Sequence, residues 1–294
     1  MSATLIGTSH GTDDPAGQAA VRALLDGVRV ARPGLDVREA FVDVQQPEVG
    51  DVLAAAVRAA ATAGGASGAD GAGADETGAG APAPGESVAG RTGAADGVHE
   101  GSVGPDVVVV PLLLSTGYHV RHDIAQAVAA VNAAGAGTAV AADPLGPHPL
   151  LVDILADRYA AAEAAHGPFR PDDVVVLAAA GSSVAAAATA VEEVTSALAQ
   201  RLGRPVTPSY GAGAEPRVPD AVAAARAAGL PGATAPARVI VVSYLLAPGY
   251  FLDRVLEAGA DVVTDPVAGP AGAEKPDPRL VQVVLDRYDA AVSA

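Results

Sequence analysis

A chain of 294 residues with a formal net charge of −16 and no cysteine excludes several functions at once. The acidity argues against nucleic acid or an anionic membrane as partner, because both require a cationic surface. The missing thiols remove disulfides, thiolate metal sites and cysteine nucleophiles. Half of the residues are hydrophobic but only 3% are aromatic, so Ala, Val and Leu must fill the core. The start, MSATLIGTSHG, has neither a basic segment nor an apolar stretch of signal length. No run reaches the roughly 18 apolar residues of a spanning helix. These features predict a soluble, cytoplasmic protein.

In chain order, Thr4 to Thr8 reads as a short buried strand ending in Ser9-His10-Gly11-Thr12. Asp13 or Asp14 can cap the next helix, with Pro15 in its first turn. Ala20, Leu24, Val28 and Ala31 recur at helical spacing and predict a helix from Pro15 to Ala31, which Pro33-Gly34 stops. Asp36 to Val42 alternates as a strand does and delivers Asp43, and Gln45-Gln46-Pro47 is read as opening a helix to about Ala61. From Ala63 to Gly104 almost no large apolar residue occurs. Such a segment buries too little surface to offset the entropy of ordering it, and is read as a disordered insertion that includes a solvated His99.

Pro105 to Ile124, PDVVVVPLLLSTGYHVRHDI, is a strand buried on both faces that runs into a loop bearing His119, Arg121, His122 and Asp123. In open α/β sheets that carboxyl edge is where ligand sites lie. A helix from Asp123 to Ala134, a strand from Thr138 to Asp143 and a helix from Pro149 to Ala165 follow. The alternation then begins again, with strands from Asp173, Pro205, Ala237 and Asp261. Helices over Val184–Leu202, Pro216–Gly229 and Pro278–Val292 accompany them.

The two halves form an internal repeat, divided as 1–167 and 168–294. PLLLSTGYHVRHDI aligns with SYLLAPGYFLDRVL, and IGTSHGT with LAAAGSS. Each half is β-α-β-α-β-α-β-α, which predicts an α/β fold of two similar domains, each a parallel four-stranded sheet flanked by helices. His10 falls opposite Ala180, His119 opposite Phe251 and His122 opposite Arg254, so only the first half keeps the imidazoles. Tyr118 and Tyr250 end the matching strands and are read first as packing residues, second as walls of a cleft.

His10, Asp43 and His119 all end strands of the first half, and a parallel sheet places such ends on one edge. Two imidazoles and a carboxylate suit a borderline divalent ion such as Fe²⁺, Co²⁺, Ni²⁺ or Zn²⁺. Imidazole is partly unprotonated at neutral pH and can bind metal or take a proton. His148 and His166 are read as surface residues. No G-x-x-x-x-G-K-[ST] sequence is present for a P-loop.

SHGT after the first strand, FVDVQQP after the second and PLLLSTGYHVRHDI after the third resemble the class II chelatases of the sirohydrochlorin cobaltochelatase and ferrochelatase type. The resemblance covers both halves and skips the insertion. It implies a bilobed chelatase fold with the tetrapyrrole in the cleft, and insertion of Fe²⁺ or Co²⁺ into sirohydrochlorin without ATP or an organic cofactor. His10 and His119 match family histidines expected to bind metal and accept pyrrole protons. Asp43 stands where the family usually has glutamate, keeping the charge on a shorter arm, and Gln46 stands where an acid is common. His122 matches the second histidine of the family motif, which implies either support of the ligands and contact with substrate or direct ligation of the metal. Ser9, Gly11, Arg121, His122 and Arg254 are expected to meet the substrate's carboxylates. Amides at the helix starts after Gly11-Thr12 and Gly181-Ser182-Ser183 are expected to assist them. A chain holding both halves is expected to be a monomer. A metal carrier using the same histidines is the rival reading; a periplasmic-type ligand binder is another, opposed by the absent export signal.

Overall fold

The computed structural model describes residues 2–66, 104–115, 117–228, 237–273 and 275–294, without the side chains of 64–66 and 118–120. Strands β1 (Thr4–Ser9), β2 (Val37–Phe41), β3 (Val107–Pro111) and β4 (Ala139–Ala141) form one sheet in the order 2-1-3-4. Strands β5 (Val174–Ala179), β6 (Val206–Tyr210), β7 (Val239–Tyr244) and β8 (Val262–Val263) form a second, in the order 6-5-7-8. Every pairing is parallel. The expected pair of four-stranded parallel sheets is therefore present.

The helices are α1 (Pro15–Ala31), α2 (Val49–Ala66), α3 (Tyr118–Ala134), α4 (Pro149–His166), α5 (Ala185–Leu202), α6 (Val218–Ala227), α7 (Tyr250–Leu256) and α8 (Pro278–Val292). Asp14 caps α1 by accepting from the Ala16 and Gly17 amides at 2.7 and 3.0 Å, with Pro15 as the first helical residue. Asp277 and Pro278 start α8 in the same way. Gln45 to Pro47, expected to open α2, instead makes a turn, and the helix begins at Val49. It continues to Ala66, four residues into the low-complexity segment; the rest of that segment, with His99, lies outside the described residues.

Strand side chains alternate between two apolar layers. Ile6, Val107 and Val109 face α2 and α3, packing on Leu53, Val57 and Ile124. Leu5, Val108 and Val110 face a central layer that also holds Leu177, Ile240 and Val242 of the second sheet. Helices α1, α4, α5 and α8 fill that layer, while α6 and α7 cover the outer face of the second sheet.

The helices that close the two halves are exchanged. Helix α4 follows β4 in sequence but packs on α5 and β7, and α8 packs on α1 and β3. Tyr288 of α8 donates to the Ala3 carbonyl at 2.6 Å, and Arg158 of α4 donates to the Val267 carbonyl at 3.2 Å. Leu151, Val152, Ile154, Leu155 and Ala156 are all buried, a broad apolar face set against exposed Asp157, Ala160 and Ala161.

One buried hydrogen bond joins the second sheet to the segment that leads into α3. The Tyr244 hydroxyl donates to the Leu114 carbonyl at 2.9 Å, and burial pushes this phenol's pKa upward, so it stays a donor. Gly146 lies beneath it: a Cβ there would sit 2.0 Å from the Tyr244 hydroxyl and 2.3 Å from the Leu114 carbonyl oxygen. We expect Tyr244→Phe to cost about 1–3 kcal/mol, because a buried carbonyl loses its donor. Chemical denaturation of the variant checks this, and an unchanged midpoint contradicts it.

Candidate metal and substrate site at the carboxyl edge

The carboxyl ends of β2, β1 and β3 lie side by side. Strand β1 pairs Ser9 with Phe41 of β2, and Thr8 with Pro111 of β3. Beyond the strands the pairing continues: Val42 N–H donates to the Ser9 carbonyl at 3.0 Å, and Asp43 N–H to the His10 carbonyl at 3.1 Å. His10 and Asp43 are thus neighbours across the sheet edge, and both are exposed. Ser9 is buried at the strand end.

Gly11 makes this juxtaposition possible. Its φ is +93°, and a Cβ there would lie 2.7 Å from the Asp43 carbonyl oxygen. Thr12 N–H donates to the Gln45 side-chain oxygen at 2.9 Å, tying the His10 turn to the Asp43 turn. Gln45 belongs to the FVDVQQP stretch but was not read as a site residue, because nothing in the sequence points its side chain at the Thr12 amide.

Asp43 is followed by Val44, whose φ of +52° is unusual for a β-branched residue. The Val44 amide donates to Asp43 Oδ1 at 2.8 Å, and the Gln45 amide donates to the Asp43 carbonyl. The left-handed conformation costs a non-glycine residue roughly 1–2 kcal/mol. The matching residue of the second half is Gly213, at φ +71°. Val44→Gly should therefore raise stability by up to about 1 kcal/mol, after the glycine's greater chain entropy is subtracted. A lower melting temperature for V44G would contradict this strain.

His119, Arg121 and His122 were expected in a loop. They lie instead in the first turns of α3, which begins at Tyr118, with Gly117 as its N-cap. The His119 side chain is outside the described residues. Arg121 and His122 are exposed, and a His122 ring nitrogen lies 2.8 Å from the Gln126 amide nitrogen. Among the described residues no group of three His, Asp or Glu side chains is placed to hold a metal ion. The pair brought together is His10 and Asp43.

Two further expectations need correction. The amides at the start of α1 do not await a ligand: Asp14 takes those of Ala16 and Gly17, and Thr12 Oγ1 takes that of Asp14 at 3.1 Å. The start of α5 has no side-chain cap of this kind, because Val184 stands where Asp14 does in the first half. Arg254 is not an isolated cation: it pairs with Glu257 at 3.1 Å and lies over the Tyr250 ring, 5.3 Å from its centroid. Tyr250, read first as a packing residue, is 65% exposed. Its neighbour Gly249 approaches the His10 turn, since a Cβ there would lie 3.4 Å from Thr12 Oγ1. His148 caps α4 by accepting from the Leu150 amide at 3.2 Å and touches Asp286 at 3.3 Å.

The duplicate edge is built alike and carries none of the chemistry. Ala212 N–H donates to the Ala180 carbonyl at 2.8 Å, the counterpart of the Asp43–His10 bond. Asp43 is thus matched by Ala212, as His10 is by Ala180 and His119 by Phe251. Phe251 packs over this edge: a Cβ on Gly211 would sit 2.7 Å from its ring. The second edge is closed by an aromatic ring where the first keeps polar groups.

Comparison with known proteins agrees with this architecture. The profile of the CbiX family matches residues 4–63, 97–162 and 174–291. No curated protein matches the chain. Among solved structures, SirB from Bacillus subtilis with Fe3+ is 16% identical, with a TM-score of 0.68 over 100% of this chain and 96% of that one. SirB from Bacillus subtilis subspecies spizizenii in complex with cobalt is also 16% identical, with a TM-score of 0.62 over the same shares of 100% and 96%. CbiX, described as the terminal enzyme for biosynthesis of siroheme in denitrifying bacteria, is 20% identical, with a TM-score of 0.55 over 98% of this chain and 99% of that one. These likenesses establish the fold, and the profile, which spans both sheets and most of the sequence, establishes the relationship: the chain belongs to the CbiX family.

Proposed function

We propose that the protein is an ATP-independent chelatase that inserts a divalent metal ion, Fe²⁺ or Co²⁺, into sirohydrochlorin. The observation that carries this reading is the asymmetry of the two carboxyl edges. His10 and Asp43 follow β1 and β2, and His119 lies in the first turn of α3 after β3, whereas Ala180, Ala212 and Phe251 stand at the matching positions of the other half. A scaffold role would have no use for that difference. Membership of the CbiX family supports this reading, as does the likeness to SirB with Fe3+, to SirB in complex with cobalt and to the CbiX of siroheme biosynthesis.

Metal insertion must strip water from the ion and remove two pyrrole protons. In our reading His10 and His119 hold the incoming ion from one side of the ring and accept those protons. Asp43 completes the ligand set or passes protons to water. Its backbone bond to His10 and its Oδ1 bond to the Val44 amide fix where the carboxylate stands. The metal is a substrate here, and no organic cofactor is required. Imidazole and carboxylate accept Fe²⁺, Co²⁺ and Ni²⁺ alike, so availability contributes to the choice.

Anaerobic insertion rates for Fe²⁺, Co²⁺ and Ni²⁺ into sirohydrochlorin, followed by the visible spectrum, test the proposal. We expect acceleration over the uncatalysed reaction with Fe²⁺ or Co²⁺. Rates equal to those without protein, for all three metals, would refute it. In the described residues no helix is long and apolar enough to cross a membrane, in keeping with an assay in plain buffer.

A further inference from the structure

A cavity of about 530 Å³ opens on the same sheet edge, one strand beyond His119. It lies at the ends of β3 and β4, where Pro111, Leu113 and Ala142 form its floor, and Ala190 of α5 contributes a wall from the second half. Its size is within the range of small-molecule sites, and sheet edges at a seam between two lobes are where such sites occur. Across the strand order 2-1-3-4, the edge therefore reads Asp43, His10, the start of α3, and then the cavity.

Two guanidiniums line it, Arg121 from α3 and Arg287 from the exchanged helix α8. Neither forms an ion pair among the described residues, in a chain with 34 acidic and 18 basic side chains. Arg287 donates to the Leu145 and Pro147 carbonyls at 3.1 and 2.6 Å, and its buried Nε has no partner. The neighbouring acid on α8, Asp286, is turned to His148. Asp143, exposed, is the one carboxylate on the cavity lining. Two cations that form no ion pair among the described residues, beside an apolar floor, suit a flat, apolar molecule with carboxylates at its rim.

The duplicate again provides a control. Arg158 of α4 is the counterpart of Arg287 and grips the Val267 carbonyl as Arg287 grips that of Leu145. Yet the residue four places after the N-cap Gly249 is Asp253, where Arg121 stands four places after Gly117. The space beside Ala20 and Ala268, which Pro270, Ala273, Lys275 and Pro276 also line, amounts to about 30 Å³.

We infer that this cavity receives a carboxylate-bearing edge of the tetrapyrrole, with Arg121 and Arg287 pairing with its carboxylates. Arg287 is thereby assigned to substrate recognition, although it belongs to the last helix of the half without histidines. The inference rests on the chelatase reading for the identity of the ring.

Equilibrium titration of the full chain with metal-free sirohydrochlorin, as the free acid and as its full ester, tests it. The wild type should bind the acid more tightly than the ester. Arg121→Gln and Arg287→Gln should each weaken acid binding about tenfold, the loss expected for one charge-assisted contact, and leave ester binding unchanged. In turnover the same variants should raise KM far more than they lower kcat. If Arg287→Gln lowers the melting temperature by freeing the 145–147 loop, Arg121→Glu decides, since it should weaken acid binding further than Arg121→Gln. Unchanged acid affinity in the folded Arg121 variants, or no tetrapyrrole binding by the wild type, overturns the inference. A wild type that binds the acid through Arg121 but inserts no metal leaves the inference standing and refutes the chelatase reading.

Discussion

Replacing His10 or His119 by alanine should reduce metal insertion by about 10²–10⁴-fold, the range lost with a positioned acid–base group. The fold should survive both changes. His10 is exposed, and the hydrogen bond that sets its neighbourhood runs through its backbone carbonyl to the Asp43 amide. Ala180 already occupies the equivalent turn in the second half, where the same backbone bond forms at 2.8 Å. The duplicate thus acts as a natural alanine variant of this edge. Stopped-flow or steady-state insertion assays, with circular dichroism beside them, check the prediction. Full activity in both variants would remove the histidines from the mechanism.

The largest effect on stability is expected at the opposite end of the second sheet. Asp173 precedes β5 with a side chain that is 0% exposed, and it pairs with Arg238 at 2.8 Å and with Arg170 at 3.2 Å. The Arg170 and Arg238 amides donate to it at 2.8 Å each, and Arg204 donates to its carbonyl. Desolvation raises its pKa, but the hydrogen bonds and charge of Arg170 and Arg238 outweigh that and bring it down to about 2. An unfolded aspartate titrates near 4, so the bound carboxylate contributes roughly 2–3 kcal/mol. The sign follows from the depressed value: the contribution is complete above about pH 4 and is lost as pH falls through 2. Asp173→Ala should cost about 3–5 kcal/mol at pH 7, because it removes a fully buried carboxylate that accepts from the Arg170 and Arg238 amides and from the Arg238 guanidinium, leaving those amides without their acceptor. Denaturation curves at pH 7, 4 and 2.5 should show the gap between wild type and variant narrowing as pH falls. A gap independent of pH would contradict this assignment.

The strand–helix alternation, the repeat and the parallel sheets could all be read from the residues. The reason is chemical: Asp14-Pro15 and Asp277-Pro278 are strong starts, and α1 and α8 begin where those pairs place them. The start of α3 was missed because Gly117 offers no side-chain cap and His119, Arg121, His122 and Asp123 follow it closely. Its first turns are polar, as a loop would be. The exchange of α4 and α8 was invisible for another reason. Local patterning states which face of a helix is buried but not against which sheet.

The site was partly legible. His10 and Asp43 could be placed after strand ends, because a parallel sheet delivers all its carboxyl ends to one edge, whereas His119 lies in the first turn of α3. That Asp43 is matched by Ala212 required the strand register. Gln45 binding the Thr12 amide, and Arg287 arriving on an exchanged helix, depend on tertiary contacts that no motif encodes.

The central claim is that this chain is an enzyme and not a carrier with the same ligands. Anaerobic mixing of a small amount of protein with sirohydrochlorin in excess, with Fe²⁺ or Co²⁺ in further excess, separates the two. The account predicts that the metallated product keeps accumulating through many equivalents of protein. Product that stops at one equivalent, with the metal retained by the protein, would contradict it.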